Sequence, residues 1–131
     1  YLDAFEEAGH DFEPKIMIAV GAYCADTSEE ADYIASSQLY KKTVQQTRGL
    51  DNPWIHPDQV MDEIKTFSDR EHRFYNLLKE SFVIGCPETC VTKMEGLKSY
   101  WKTDEIALLT VTHDFESRAQ SYRLLAEQLS Q

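Results

Sequence analysis

Two nearly continuous apolar segments constrain the fold of this chain more than any other feature. The first runs from Ile16 to Tyr23 and the second from Ile106 to Val111. Neither segment alternates between apolar and polar residues, and this pattern is typical of parallel strands that are covered on both faces. Amphipathic segments of helical spacing separate and follow them, so the sequence predicts an α/β fold.

Local signals indicate where the helices begin. Thr27 and Glu30 have the spacing of a capping box, and so do Ser68 and Glu71. A third, weaker apolar run spans Phe82–Gly85. No repeat, low-complexity tract or flexible linker interrupts the chain, so we expect a single unit with two main strands and about five helices.

Charge narrows the possible partners. The chain of 131 residues has a formal net charge of −10, which disfavours binding to nucleic acid and to anionic membrane surfaces. No apolar run approaches the roughly 20 residues of a membrane span, and the first residues lack the basic and apolar regions of a signal peptide. The sequence therefore predicts a cytoplasmic protein.

The cysteines Cys24, Cys86 and Cys90 do not form an even disulfide framework. We expect them to be buried as small apolar side chains. Pro87 suits the first position of a helix, so Cys86 and Cys90 would both lie near the N-terminus of that helix. A helix N-terminus can lower the pKa of a thiol. A Cys-x3-Cys pair can also contribute to a metal site, but no pair of histidines at ligand spacing lies nearby, and we predict no metal.

The small number of strands leaves the predicted sheet incomplete. Two parallel strands cannot bury both of their own faces or pair all of their edges. Either an upstream part of a longer polypeptide or further copies of this chain would have to complete the sheet.

Six segments carry a resemblance to a known family. They are Tyr1–Phe5, Pro14–Val20, Ala25–Ala31, Val83–Thr89, Thr103–Ile106 and Ser121–Glu127. In their order and spacing, over essentially the whole chain, they resemble the C-terminal segment of bacterial luciferase-like, flavin-dependent monooxygenases. Two departures stand out: Cys86 lies where a Ser or Thr is expected, and Lys102-Thr103 replaces a pair such as Gly-Ala.

The resemblance implies a fold. Residues 1–131 would form the C-terminal portion of a TIM (β/α)8 barrel, with its seventh and eighth strands, their helices and an insertion between them. A whole barrel needs about 250 residues. We therefore expect an α/β partial barrel with two main parallel strands.

The resemblance also implies a chemistry. In such a family, reduced FMN from a flavin reductase reacts with O2 and a small organic substrate is oxidised. Sites in TIM barrels lie at the C-terminal ends of the strands, so the candidate pocket wall is Tyr23 and Cys24 after the first strand, and Thr112 and His113 after the last. Most flavin contacts would come from other strands, so no catalytic residue is assigned and the isolated chain is not expected to be a competent monooxygenase.

Each candidate residue also has a purely structural interpretation. His113 either donates to a flavin or substrate oxygen or hydrogen-bonds to the backbone, and Asp114 caps the last helix. Cys24 either faces a substrate or packs in the core. The other histidines are too scattered in the sequence to form a site: His10, His56 and His72.

A second function hypothesis belongs to a different class. The chain would be a catalytically inactive fragment that folds by self-association as a homodimer or larger assembly. Its interface would be rich in apolar side chains from Ile16 to Tyr23 or from Ile106 to Val111, because unpaired edges and exposed apolar patches promote association.

Overall fold

The computed structural model describes residues 1–131, which form a three-stranded parallel sheet flanked by helices. The strands are β1 (Met17–Cys24), β2 (Val83–Gly85) and β3 (Glu105–Leu109). The helices are α1 (Leu2–Glu7), α2 (Ser28–Arg48), α3 (Pro57–Ile64), α4 (Asp69–Ser81), α5 (Pro87–Trp101) and α6 (Phe115–Leu129). The structure thus has six helices where the sequence predicts about five.

The helix starts that the sequence predicts are confirmed. The Thr27 hydroxyl accepts the N–H of Glu30 at 3.2 Å and caps α2. Ser68 and Glu71 form a reciprocal capping box at the start of α4. Pro87 is the first residue of α5, where its missing N–H is not needed.

The strand order contradicts the expected partial barrel. The order is β2-β1-β3, with β1 at the centre. In a (β/α)8 barrel, successive strands follow one another around the ring, whereas here β2 does not lie between β1 and β3. Instead, β2 pairs with Ala22–Cys24 on the other edge of β1. In a barrel, that edge would be occupied by the strand that precedes β1. The partial TIM barrel with two main strands is therefore wrong, and the chain is a small α/β unit with an open three-stranded sheet.

The two faces of β1 pack against different helices. On one face, Ala22 and Cys24 pack with Cys90, Met94 and Leu125 from α5 and α6. The core on the other face contains Tyr23 and Ile84 from the sheet, together with three α2 residues: Ala31, Ala35 and Leu39. Full burial of one such large apolar side chain contributes about 1.5–3 kcal/mol, so the carboxyl-terminal half of β1 is the best-anchored part of the sheet.

The amino-terminal half of the sheet is much less covered. Met17 on β1 is 65% exposed and Leu109 on β3 is 59% exposed. β2 has only three residues and pairs with Ala22–Cys24 alone. On that edge of β1, Met17–Gly21 therefore have no partner strand. The expectation that both apolar strands are covered on both faces is therefore wrong at these positions.

Candidate functional site

Buried hydroxyl groups hold the carboxyl end of the sheet in place. The N–H of Cys24 donates to Ser121 Oγ at 2.8 Å, which ties β1 to α6. The Thr110 hydroxyl donates to the carbonyl of Ala22 at 2.6 Å, and the Thr110 N–H donates to the hydroxyl of Tyr122 at 3.2 Å. These bonds satisfy buried main-chain groups at this end of the sheet and connect β1 and the residue after β3 to α6 and to each other.

Tyr23 and Cys24, two of the predicted pocket-wall residues, lie in the core. Tyr23 is 1% exposed, its ring stacks on Phe82 with centroids 5.9 Å apart, and burial raises its pKa to about 12. Cys24 is fully buried, and burial raises the pKa of its thiol to about 12. Tyr23 also borders a cleft of about 220 Å³ with Gln38 and Lys42, so a wall role for Tyr23 stays a prediction.

Thr112, His113 and Asp114 form the loop between β3 and α6. The Thr112 hydroxyl donates to the main-chain oxygen of Asp114. Asp114 accepts the N–H of Ser117 at 2.8 Å, which caps α6 and lowers the pKa of the Asp114 carboxyl. The capping role predicted for Asp114 is confirmed, and the exposed His113 side chain is left at the surface.

The structure brings His113 next to His56, which is not among the predicted site residues. The two imidazole centroids are 5.0 Å apart and nearly perpendicular, at 73°. The centroid of the Tyr33 ring lies 6.5 Å from that of the His56 ring, and the Tyr33 hydroxyl hydrogen-bonds to Asp58. We call these four side chains, Tyr33, His56, Asp58 and His113, the carboxyl-end rim. His56 thus lies beside His113, and not beside His10 or His72, with which the sequence analysis grouped it.

Hydrogen bonds orient the members of the rim. The Tyr33 hydroxyl donates to Asp58 Oδ1 at 2.7 Å, and this bond raises the pKa of Tyr33. His56 Nδ1 accepts the N–H of Asp58 at 3.2 Å, so a neutral His56 has its proton on Nε2. The side chain of His56 is 49% exposed, and its Nε2–H is available to donate to a ligand.

His56 and Tyr33 are functional candidates that the sequence did not reveal. His56 lies between Pro53 and Pro57, caps α3, and follows Ile55, whose carbonyl accepts the buried Ser37 hydroxyl at 2.7 Å. The two prolines show from sequence that this loop is ordered. They do not show which part of the molecule it approaches.

Other parts of the surface do not bring the predicted residues together. No group of three or more His, Cys, Asp or Glu side chains is arranged to hold a metal ion. A cleft of about 630 Å³ lies at the amino end of β1. Its apolar lining comes from Tyr1, Leu2, Ile16, Met17, Tyr100 and Trp101, and none of these is a predicted site residue.

Comparisons with known proteins identify relatives in Bacillus subtilis that are described as uncharacterized proteins. No protein-family model matches the chain. YceB of Bacillus subtilis (strain 168) is 31% identical over 128 residues, covering 97% of this chain and 38% of YceB. YvbT of the same organism is 29% identical over 127 residues, covering 97% of this chain and 37% of YvbT. The chain thus spans little more than a third of the length of these relatives.

A solved structure shares the fold. Apo-MsnO8 superposes with a TM-score of 0.75 at 23% sequence identity, over 90% of this chain and 35% of the MsnO8 chain. At this identity the likeness concerns the fold alone. No helix of the chain combines the length and apolar character needed to cross a lipid bilayer.

Proposed function

We propose that this chain supplies the substrate-facing part of a flavin-dependent monooxygenase that resembles bacterial luciferase. Such an enzyme uses reduced FMN, provided by a flavin reductase, and O2 to oxidise a small organic substrate. The observation that carries the proposal is the carboxyl-end rim, where polar side chains from three separate segments converge beyond the ends of parallel strands. In open α/β sheets, ligands bind at this end of the strands.

The rim fits the flavin ring better than it fits the phosphate of FMN. The Nε2–H of His56 and the side chain of His113 can hydrogen-bond to the polar edge of the ring. Asp58 belongs to the rim and Asp114 adjoins it, and both carboxylates would repel a phosphate. Asp26, which accepts a hydrogen bond from Gln120 at 3.2 Å, would repel it as well. These residues therefore do not fit the whole of FMN, and we derive no reaction step through it.

This uneven fit leads to a test that compares two flavins. Riboflavin lacks the phosphate of FMN, so quenching of flavin fluorescence by the chain should give a lower Kd for riboflavin than for FMN. Removal of the imidazole in His56→Ala should weaken both by about tenfold, as expected for the loss of one hydrogen bond in a binding site. His10→Ala is the matched control, because His10 packs on Phe5 and Phe12 near the start of the chain. If neither flavin is quenched, the proposal fails.

The setting we propose for this function is the cytoplasm. All three cysteines are free thiols, as is usual for proteins in a reducing compartment. The net charge of −10 disfavours nucleic acid as a partner. A small-molecule substrate and a flavin reductase are the partners that the proposal requires.

The second candidate function is a self-associating unit without catalytic activity. It is favoured by the open sheet, because the outer edge of β3 has no partner strand and Leu109 on this strand is 59% exposed. Exposed edges of apolar strands pair readily with other chains. A second copy of this chain would cover β3 and the uncovered part of β1.

Light scattering tests this association. We expect a dimer or larger assembly at tens of micromolar, roughly the range of a micromolar Kd. Leu109→Lys should shift the chain toward the monomer, because a charge on an edge strand opposes pairing. Leu77→Lys is the control, since Leu77 is 65% exposed on α4 and lies outside the sheet. A monomeric wild-type chain at this concentration would rule the candidate out.

A further inference from the structure

Three thiols converge where β1, β2 and α5 meet. Cys24 ends β1 and pairs in register with Gly85, the residue before Cys86. Cys90 lies in the first turn of α5, and its N–H donates to the carbonyl of Cys86 at 3.0 Å. Cys24 and Cys90 belong to one core cluster. The expectation that all three cysteines are buried holds for Cys24 and Cys90 but not for Cys86.

The three thiols differ in access and in acidity. Cys86 is partly exposed, whereas Cys24 and Cys90 are fully buried. The Thr89 hydroxyl, 3.3 Å from the Cys86 sulfur, lowers the pKa of the Cys86 thiol, and burial raises the pKa of both other thiols. The thiolate is the nucleophilic form of cysteine, so Cys86 combines reactivity with access.

Cys90 is close enough to react with an oxidised Cys86. The two residues are one helical turn apart, so their Cα atoms are separated by about 6 Å, within the 4.4–6.8 Å spanned by disulfides. The Cys90 thiol now donates weakly to the carbonyls of Gly85 at 3.4 Å and Tyr23 at 3.8 Å. Both are weak bonds, so they do not by themselves hold the Cys90 sulfur away from Cys86.

We propose that Cys86 is a hydroperoxide-reactive thiol and that Cys90 resolves its oxidised form to a Cys86–Cys90 disulfide. The Cys86 thiolate attacks one oxygen of the hydroperoxide, the O–O bond breaks, and Cys86 becomes a sulfenic acid. The leaving oxygen takes up the proton that the Cys86 thiol released, which gives an alcohol, or water when the oxidant is H2O2. The Cys90 sulfur then displaces the sulfenic hydroxyl, which leaves as water with the Cys90 proton. The hydroperoxide is the two-electron oxidant of the pair of thiols.

Oxidation of the wild-type chain with H2O2 tests the proposal by peptide mass spectrometry. Cleavage after lysine places Cys86 and Cys90 together in the peptide Glu80–Lys93 and Cys24 in the separate peptide Ile16–Lys41. We expect the first peptide to lose two hydrogens. A cross-link between the two peptides, or an unchanged first peptide, would overturn the assignment.

Variants and alkylation separate the roles of the thiols. Cys90→Ala should stop at a sulfenic acid on Cys86 that dimedone traps. Cys86→Ser, which replaces the thiol by a hydroxyl suited to the N-cap position of α5, should leave the remaining thiols unoxidised. Cys24→Ala is the matched control and should still form the disulfide. Alkylation needs no substitution: in the folded wild-type chain, iodoacetamide should modify Cys86 at least about tenfold faster than Cys24 or Cys90. Equal rates for the three thiols would contradict the proposal.

Discussion

Glu71 is a largely buried carboxylate on which the start of α4 depends. Its Oε1 lies 2.5 Å from Arg48 Nε, and its Oε2 accepts the N–H of Ser68 at 2.8 Å and the Ser68 hydroxyl at 2.9 Å. The bond from Arg48, followed by that from the Ser68 N–H, lowers the pKa of Glu71 from 4.5 to about 2. This single side chain connects α2 to α4 and completes the capping box.

The lowered pKa predicts a pH dependence of stability. A carboxyl with a depressed pKa in the folded state stabilises the fold above its unfolded pKa, and this stabilisation is lost as the pH falls toward 2. Glu71→Gln should therefore reduce the free energy of unfolding by about 1–2 kcal/mol at pH 7, with a smaller difference near pH 3. Urea unfolding at both pH values measures this. The exposed Glu80→Gln is the control, and a Glu71→Gln effect that does not change with pH would contradict the linkage.

Local residue patterns could be read from the sequence, and long-range neighbours could not. The spacing of Ser68 and Glu71 predicts their capping box because both partners lie within one helical turn. His56 and His113 come together only through the packing of α3 and of the loop after β3, which no local pattern encodes. Three of the four residues of the carboxyl-end rim were therefore missed, and only His113 was predicted as a site residue.

At the scale of elements, the junction between β2 and α5 depends on Gly85. This residue has φ +155, and a Cβ atom there would lie 2.7 Å from Thr89 Cγ2. Gly96, in the middle of α5, has no neighbouring atom within 4 Å of the same position. The two glycines thus have different roles, although both lie in the same short segment of sequence.

Replacing each glycine by alanine should have opposite effects. Gly85→Ala should lower the free energy of unfolding by about 1–3 kcal/mol, because the new methyl group meets Thr89 in a strained backbone conformation. Gly96→Ala should raise it by about 1 kcal/mol through helix propensity. Chemical denaturation of the two variants measures both changes, and a Gly85→Ala variant as stable as the wild type would show that the junction is not tightly packed.

The elements themselves were easier to predict than their arrangement. The apolar runs at β1 and β3 and the starts of α2, α4 and α5 follow from short-range patterns. The strand order does not, because it depends on where the three residues of β2 pair, and such a short strand has little pattern of its own. The expected partial barrel came from a resemblance of segments and was overturned by this one pairing.

For the whole molecule, the central claim is that the carboxyl-end rim is the ligand-binding end of an open sheet. The amino end of β1 offers an apolar cleft of about 630 Å³ next to Tyr100 and Trp101, and no side chain of the rim lines it. Size alone therefore favours the opposite end. The choice of the rim depends on its convergent polar groups, which provide the hydrogen bonds that orient a ligand.

Nuclear magnetic resonance with added riboflavin distinguishes the two ends most directly. We expect the imidazole signals of His56 and His113 and the amide signals of Asp58 and Asp114 to shift as riboflavin is titrated, while the indole signal of Trp101 stays unchanged. Shifts confined to Trp101 and its neighbours, with no change at His56 or His113, would contradict the account.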